Sequence, residues 1–185
     1  MTAPKCCGKQ RIEIRGRVWV HDTGDKRMAA PAILKRYKFF SVFDATELEK
    51  LAALARDVSV LENAVIFAEQ QTANALYFLL DGEVDLYTTV SATNPTRLFA
   101  GEINPGDPFG VSALLEPYVY RTSARALVVS RFLELDAQEL RALMERDCAL
   151  GMKLLRQMMR ATLERVEVLR LHVAALSKPR DAEDD

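Results

Sequence analysis

The chain has little of what most catalytic and metal sites are built from. Its 185 residues include two histidines, three cysteines and one tryptophan. Cys6, Cys7 and Cys148 do not make a disulfide framework. The vicinal pair Cys6-Cys7 would need partners to hold a metal, and the plainer expectation is a disordered tail. Cys148 falls at a helix start and reads as a small buried residue. His21 lies in the N-terminal head and His172 near the chain end, so no imidazole falls among the strands. A mononuclear metal site inside a β-roll needs several imidazoles and a carboxylate, and is therefore not expected. A Ser-His-Asp set cannot be assembled either, and no Gly-rich P-loop or dinucleotide fingerprint occurs. The expectation is a protein that is not an enzyme and holds no metal.

Long apolar runs are also missing. No stretch of eighteen apolar residues exists, so no membrane span is expected. The N-terminus "MTAPKCCGKQRIEIRGR" lacks the apolar core of a secretory signal, which predicts a cytoplasmic protein. Excess positive charge is lacking too. A formal net charge of −1 gives no general electrostatic grip on nucleic acid. What remains is ordinary globular material, 49% hydrophobic and 28% charged, long enough for one domain with a real core.

Four parts follow along the chain. Residues 1–29 form a basic extension in which "IEIRGRVWV" alternates like a strand around Gly16. It adds to a sheet edge, binds a partner or stays flexible; the residues do not choose. Residues 30–146 hold the main domain, opening with helices over 31–57. There Asp44 and Glu47 make a capping-box pair ahead of the apolar stripe Leu48, Leu51, Ala52 and Leu54. Over 58–135 the period changes to short apolar segments between turn signals. Asp81-Gly82 between "YFLL" and "EVDLY" reads as a two-residue hairpin, and Asn94-Pro95 and Pro105-Gly106-Asp107 as further turns. At least seven short strands predict a mainly β fold, an antiparallel barrel or jelly-roll-like β-roll flanked by helices.

Residues 147–176 return to helix, after Asp136 and Glu139 repeat the capping pattern. Leu155, Met159, Thr162, Val166, Leu169, Val173 and Leu176 are spaced alternately by four and three, a heptad seam. One reading packs that face on the chain's own barrel. The favoured one pairs two copies in parallel as a homodimer, because Met152, Leu154, Met158, Leu163 and Val168 offer a second apolar face. Residues 177–185 are an acidic tail.

One segment points to a ligand. In "PGDPFGVSALLEPYVYRTSA" a strand end at Phe109 meets Gly110 and then a short helical turn. Gly permits close backbone approach, and the first N–H groups of such a turn lack partners, which suits phosphate. Arg121, eleven residues after Gly110, is placed to reach back, and a guanidinium grips phosphate through two parallel hydrogen bonds. By spacing alone, a surface Arg on a β-turn remains an equal alternative.

Residues from about 33 to 172 resemble the cyclic-nucleotide-binding domain of the catabolite activator and protein kinase A regulatory-subunit family. The likeness runs in order through "LKRYKFFSVFDATELEKLAALA", "VIFAEQ", "LYFLLDGEVDLY", "PGDPFGVSALL" and "YRTSARA". The family cassette reads F-G-E-[LI]-[AG]-L and then [PE]-R-[TS]-A, with Gly and Arg separated as Gly110 and Arg121 are. The resemblance implies a β-roll whose Gly110, Ser112, Ala113, Arg121 and Thr122 hold the cyclic phosphate. It implies a pocket lined by Phe109, Val111, Leu114, Tyr120 and Ser123. Thr162, the polar member of the seam, is either a base contact or, the favoured reading, a residue that sets helix register. The implied ligand is cyclic AMP or cyclic GMP.

Three departures qualify this. Val111 stands where the family has the Glu that accepts a hydrogen bond from the ribose 2′-hydroxyl, so binding is expected to be weak or altered. Gln70-Gln71 and Asn63 replace turn residues that are usually Gly-Asp and Gly, and Tyr120 replaces Pro or Glu. The transcription-factor branch continues into a helix-turn-helix after the long helix, whereas nine residues follow Leu176 here. The expectation is a stand-alone sensor that signals through an unidentified effector protein, without sequence-specific DNA binding of its own. The alternative is a structural adaptor that dimerises and keeps a vestigial pocket, with the basic head as its working surface.

Overall fold

The computed structural model describes residues 29–90 and 96–176, apart from the side chains of His172 and Leu176. The readings of residues 1–28, of the Asn94-Pro95 turn and of the acidic tail lie outside the described residues. Among the described residues, eight strands form two antiparallel four-stranded sheets. β1 (Ala55–Val60), β8 (Ser130–Asp136), β3 (Ala75–Asp81) and β6 (Pro108–Phe109) make the first, in that order. β2 (Val65–Phe67), β7 (Ser123–Ala126), β4 (Val84–Thr89) and β5 (Arg97–Ile103) make the second. Helices α1 (Pro31–Leu34), α2 (Ala45–Leu54), α3 (Ala137–Arg146) and α4 (Cys148–Leu176) flank the roll. This is the mainly β, helix-flanked β-roll that the sequence leads one to expect. No helix among the described residues is long and apolar enough to cross a membrane.

The period-two rule shows why "ALYFLL" is apolar throughout. Leu76, Phe78 and Leu80 face one hydrophobic cluster, shared with Phe40, Leu48, Leu51, Leu150, Leu154 and Met158 of the helical layer. Ala75, Tyr77 and Leu79 face the other, inside the roll with Phe67, Leu86, Ile103, Phe109 and Phe132. Both faces of β3 are covered, so a strand with no polar side until Asp81 is stable here.

Local signals set the helices. Asp44 accepts from the Glu47 N–H at 2.9 Å, and Glu47 returns the bond to the Asp44 N–H at 2.9 Å. The same Glu47 carboxylate receives Lys153 Nζ at 2.7 Å, which ties α4 to α2. Asp136 caps α3 through the N–H groups of Gln138 and Glu139, and Asp147 accepts from Leu150 N–H at the start of α4.

Three expectations need correction. Asp81-Gly82 is a turn but not a hairpin, because β3 and β4 belong to different sheets. Gly82, at φ 99°, turns that corner against β8, and a Cβ there would collide with Ser130. Helix α2 ends at Leu54 rather than 57, since Ala55, Arg56 and Asp57 pair with β8 opposite Leu135, Glu134 and Leu133. Cys148 is exposed, not buried.

Helix α4 presents two faces. Leu150, Leu154 and Met158 are buried against the chain's own domain, with Ala161, Arg165 and Leu169 half-buried along the same stripe. Met159 is 66% exposed and Leu163 57%, and Leu155 and Val166 also face outward. Most of the heptad seam therefore points away from the barrel.

Candidate functional site

The cassette begins where β6 pairs with β3, Phe109 opposite Tyr77. The chain then turns at Gly110, left-handed at φ 73°. A Cβ on Gly110 would lie 3.0 Å from the Tyr77 ring and 3.2 Å from the Ala75 carbonyl oxygen. Both the backbone angle and the space thus call for glycine. The following helical turn spans Val111–Leu114. Within it the Ala113 N–H donates to the Gly110 carbonyl at 3.0 Å, and no hydrogen bond engages the N–H groups of Val111 and Ser112 among the described residues.

The return segment is clamped just before Arg121. Gln70 N–H donates to the Tyr120 carbonyl, and Tyr120 N–H to the Gln71 carbonyl, each at 2.9 Å. Ala73 N–H donates to the Tyr118 carbonyl at 2.7 Å, and Tyr118 itself has a positive φ of 56°. Tyr120 is buried, stacks on Phe67 with centroids 3.9 Å apart, and bonds both polar groups of Ala75 through its hydroxyl. Burial pushes the phenols of Tyr120 and Tyr77 above their usual range. The loop positions noted in the sequence take the angles that glycine would: Asn63 has φ 64° and Gln70 φ 67°.

These elements enclose a cavity of about 320 Å³. Gly110, Ser112, Arg121 and Thr122 line it together, as do Val111 and Tyr120. Thr162 lines it from α4, its hydroxyl donating to the Met158 carbonyl at 2.9 Å, which leaves the oxygen as an acceptor. The other expected residues stand outside the wall. Ala113 and Phe109 are fully buried behind it, and Leu114 packs toward the helical layer. Ser123 lines a neighbouring groove and accepts from Glu69 N–H.

Arg165 enters the same cavity from α4, one helical turn beyond Thr162. It was not read from the sequence as a site residue. Its signal was register: Leu154, Met158, Ala161 and Arg165 continue the inward stripe, so an Arg in that stripe is directed at the roll. The guanidinium donates to the Pro108 carbonyl at 2.7 Å, and its Cδ lies over Gly101. Burial lowers its pKa, with the nearby Asp107 charge acting in the opposite sense. Arg121 is exposed and pairs with no carboxylate among the described residues. The cavity wall thus carries two guanidinium groups and no carboxylate. Such a site favours anions, and its apolar floor of Phe67, Leu86 and Val119 suits a ring or hydrocarbon body.

Comparison with known proteins bears on the fold and the family. The family model for the cyclic nucleotide-binding domain matches residues 57–147. A protein of Geobacter metallireducens GS-15 described as cyclic nucleotide-binding is 33% identical, with a TM-score of 0.67 over 75% of this chain and 99% of that one. A cyclic nucleotide-binding domain from Methylobacillus flagellatus KT is 17% identical, with a TM-score of 0.66 over 82% and 84% of the two chains. The catabolite activator protein of Thermus thermophilus is 22% identical, with a TM-score of 0.59 over 74% and 62%. These last two show a shared fold. No curated protein matches the chain in sequence.

Proposed function

Because the chain belongs to the cyclic nucleotide-binding domain family, we propose that it is a regulatory module whose cavity holds the phosphate of a cyclic nucleotide or related ligand and that acts through a partner. The observation that carries this reading is Arg121 lining one cavity with Gly110, Ser112 and Thr122, with no carboxylate in the wall to compete for it. Arg121 grips the phosphate, the free N–H groups of Val111 and Ser112 approach its oxygens, and Thr122 adds a hydroxyl. Val111 offers the sugar nothing to bond to, so the affinity for cyclic AMP or cyclic GMP is low.

Helix α4 is both cavity wall and outward surface. Ligand contacts to Thr162 on α4 favour one seating of that helix over another, which is the differential affinity that coupling requires. The outward stripe of Leu155, Met159 and Leu163 supports a parallel pairing of two copies. That stripe also supports the alternative of an adaptor that dimerises without a ligand. Thermal shift with cyclic AMP and cyclic GMP separates the two, using Arg121→Ala as control. At about a hundred times the dissociation constant a ligand adds about 2.7 kcal/mol of stability. A shift in the wild type that Arg121→Ala abolishes supports the sensor. No shift, or an equal shift in both, leaves the adaptor.

A further inference from the structure

We infer that the preferred ligand carries two separate anionic groups, one held by Arg121 and the second by Arg165. This rests on the reading of Arg121 as the phosphate site and names the class of ligand that the same cavity takes. A cyclic mononucleotide brings one negative charge, while the wall presents two guanidinium groups and no carboxylate. Arg165 is the group that such a ligand leaves unanswered. It is half-buried, its protein partner is a carbonyl, and Asp107 acts on it from beyond ion-pair distance. Glu102, Asp107 and Glu164 line an adjoining pocket with Arg165, but none is in ion-pair contact with it. A partly buried guanidinium without a paired charge is costly, and an anion in the cavity relieves that cost.

The two cations address different parts of the ligand. Leu86 on β4 is opposite Gly101 of β5 on one side and Ala124 of β7 on the other. The Arg165 side chain stands over Gly101 of β5, and Arg121 lies two residues before β7, so two strand spacings, about 10 Å, separate the strands that support them. The Arg165 guanidinium is also fixed at the Pro108 carbonyl, on the side where the chain runs into Val111. One of its five N–H donors is used there, which leaves donors for a second phosphate or carboxylate. Val111 belongs to the same pattern. An acidic residue at that position would compete with a ligand anion for Arg165, and Val does not. The class that fits is a nucleotide with a second phosphate placed apart from the first, over an apolar floor.

Calorimetric titration of the full chain with cyclic AMP and with adenosine 2′,5′-bisphosphate tests this, on the wild type and on Arg165→Ala, Arg165→Lys and Arg121→Ala. The expected result is binding of the bisphosphate about tenfold or more tighter than cyclic AMP. Arg165→Ala brings the two probes within about threefold of each other, and Arg165→Lys, which keeps the charge, restores part of the gap. The thermal midpoint of each unliganded variant shows that it is folded, and Arg165→Lys keeps the test decisive if the Ala variant is not. Equal binding of the two probes, or a gap that survives Arg165→Ala, overturns the inference while leaving Arg121 as the phosphate site. Loss of neither probe in Arg121→Ala overturns the phosphate reading itself, and binding of neither probe to the wild type overturns both.

Discussion

The ring of Tyr120 lies on that of Phe67 with centroids 3.9 Å apart and planes 14° from parallel, and its hydroxyl bridges the N–H and carbonyl of Ala75. One side chain thus joins the residue before Arg121 to the start of β3. Tyr120→Phe keeps the stack and deletes the bridge, so buried Ala75 groups lose a partner. The expected cost is about 1–3 kcal/mol of stability, read as a lower midpoint in urea with an unchanged m-value. A midpoint equal to the wild type would show that the bridge contributes nothing.

Alkaline pH should destabilise the protein through Tyr120 and its neighbour Tyr77. Burial raises the pKa of both Tyr77 and Tyr120 in the folded chain, while unfolded tyrosines titrate near 10. Above that pH the unfolded state has fewer protons bound than the folded one, so stability falls as pH rises. Below it both states keep the proton and the contribution is fully present. Denaturation midpoints measured from pH 8 to 11 should therefore decline above about 10, and decline less in Tyr120→Phe. A flat profile through pH 11 goes against burial of these phenols.

Backbone angles make opposite forecasts at two positions. Gly110→Ala places a Cβ against Tyr77 and the Ala75 carbonyl at a left-handed angle, at an expected cost of about 1–3 kcal/mol with loss of phosphate binding. Gln70→Gly relieves a left-handed non-glycine residue and should leave stability unchanged or raise it by up to about 1 kcal/mol. Thermal midpoints of the two variants check the pair, and a stabilised Gly110→Ala would contradict the cassette geometry.

The outward face of α4 should bring two copies together. Met159 and Leu163, both more than half exposed, are the positions to charge. Light scattering at tens of micromolar should give twice the chain mass for the wild type and the monomer mass for Met159→Glu with Leu163→Glu. A monomeric wild type would remove the pairing from the account.

Much of this was legible in the sequence because it rests on local rules. The Asp44–Glu47 box, the Asp136 cap and the strand alternation depend on neighbours a few residues apart, and the structure has them where the pattern puts them. Gly110, Ser112, Arg121 and Thr122 meet in one cavity because a single loop carries them. The errors are long-range. Asp81-Gly82 announces a turn, but whether flanking strands pair depends on which sheet each joins, and β3 sits between β8 and β6 while β4 sits between β7 and β5. Arg165 went unread because the heptad spacing drew attention to the outward seam, while the site needed the inward stripe. Leu114 and Ser123 are adjacent in sequence to lining residues, yet the turn and the strand aim them elsewhere.

The central claim is that the cassette keeps its phosphate half and has lost its sugar half at Val111. Calorimetric titration of cyclic AMP into the wild type and into Val111→Glu tests it most directly. A restored hydrogen bond between carboxylate and ribose hydroxyl contributes about 1.5–3 kcal/mol, so the variant should bind about ten- to more than a hundred-fold tighter than a weakly binding wild type. A Val111→Glu variant that binds cyclic AMP no more tightly than the wild type would contradict it.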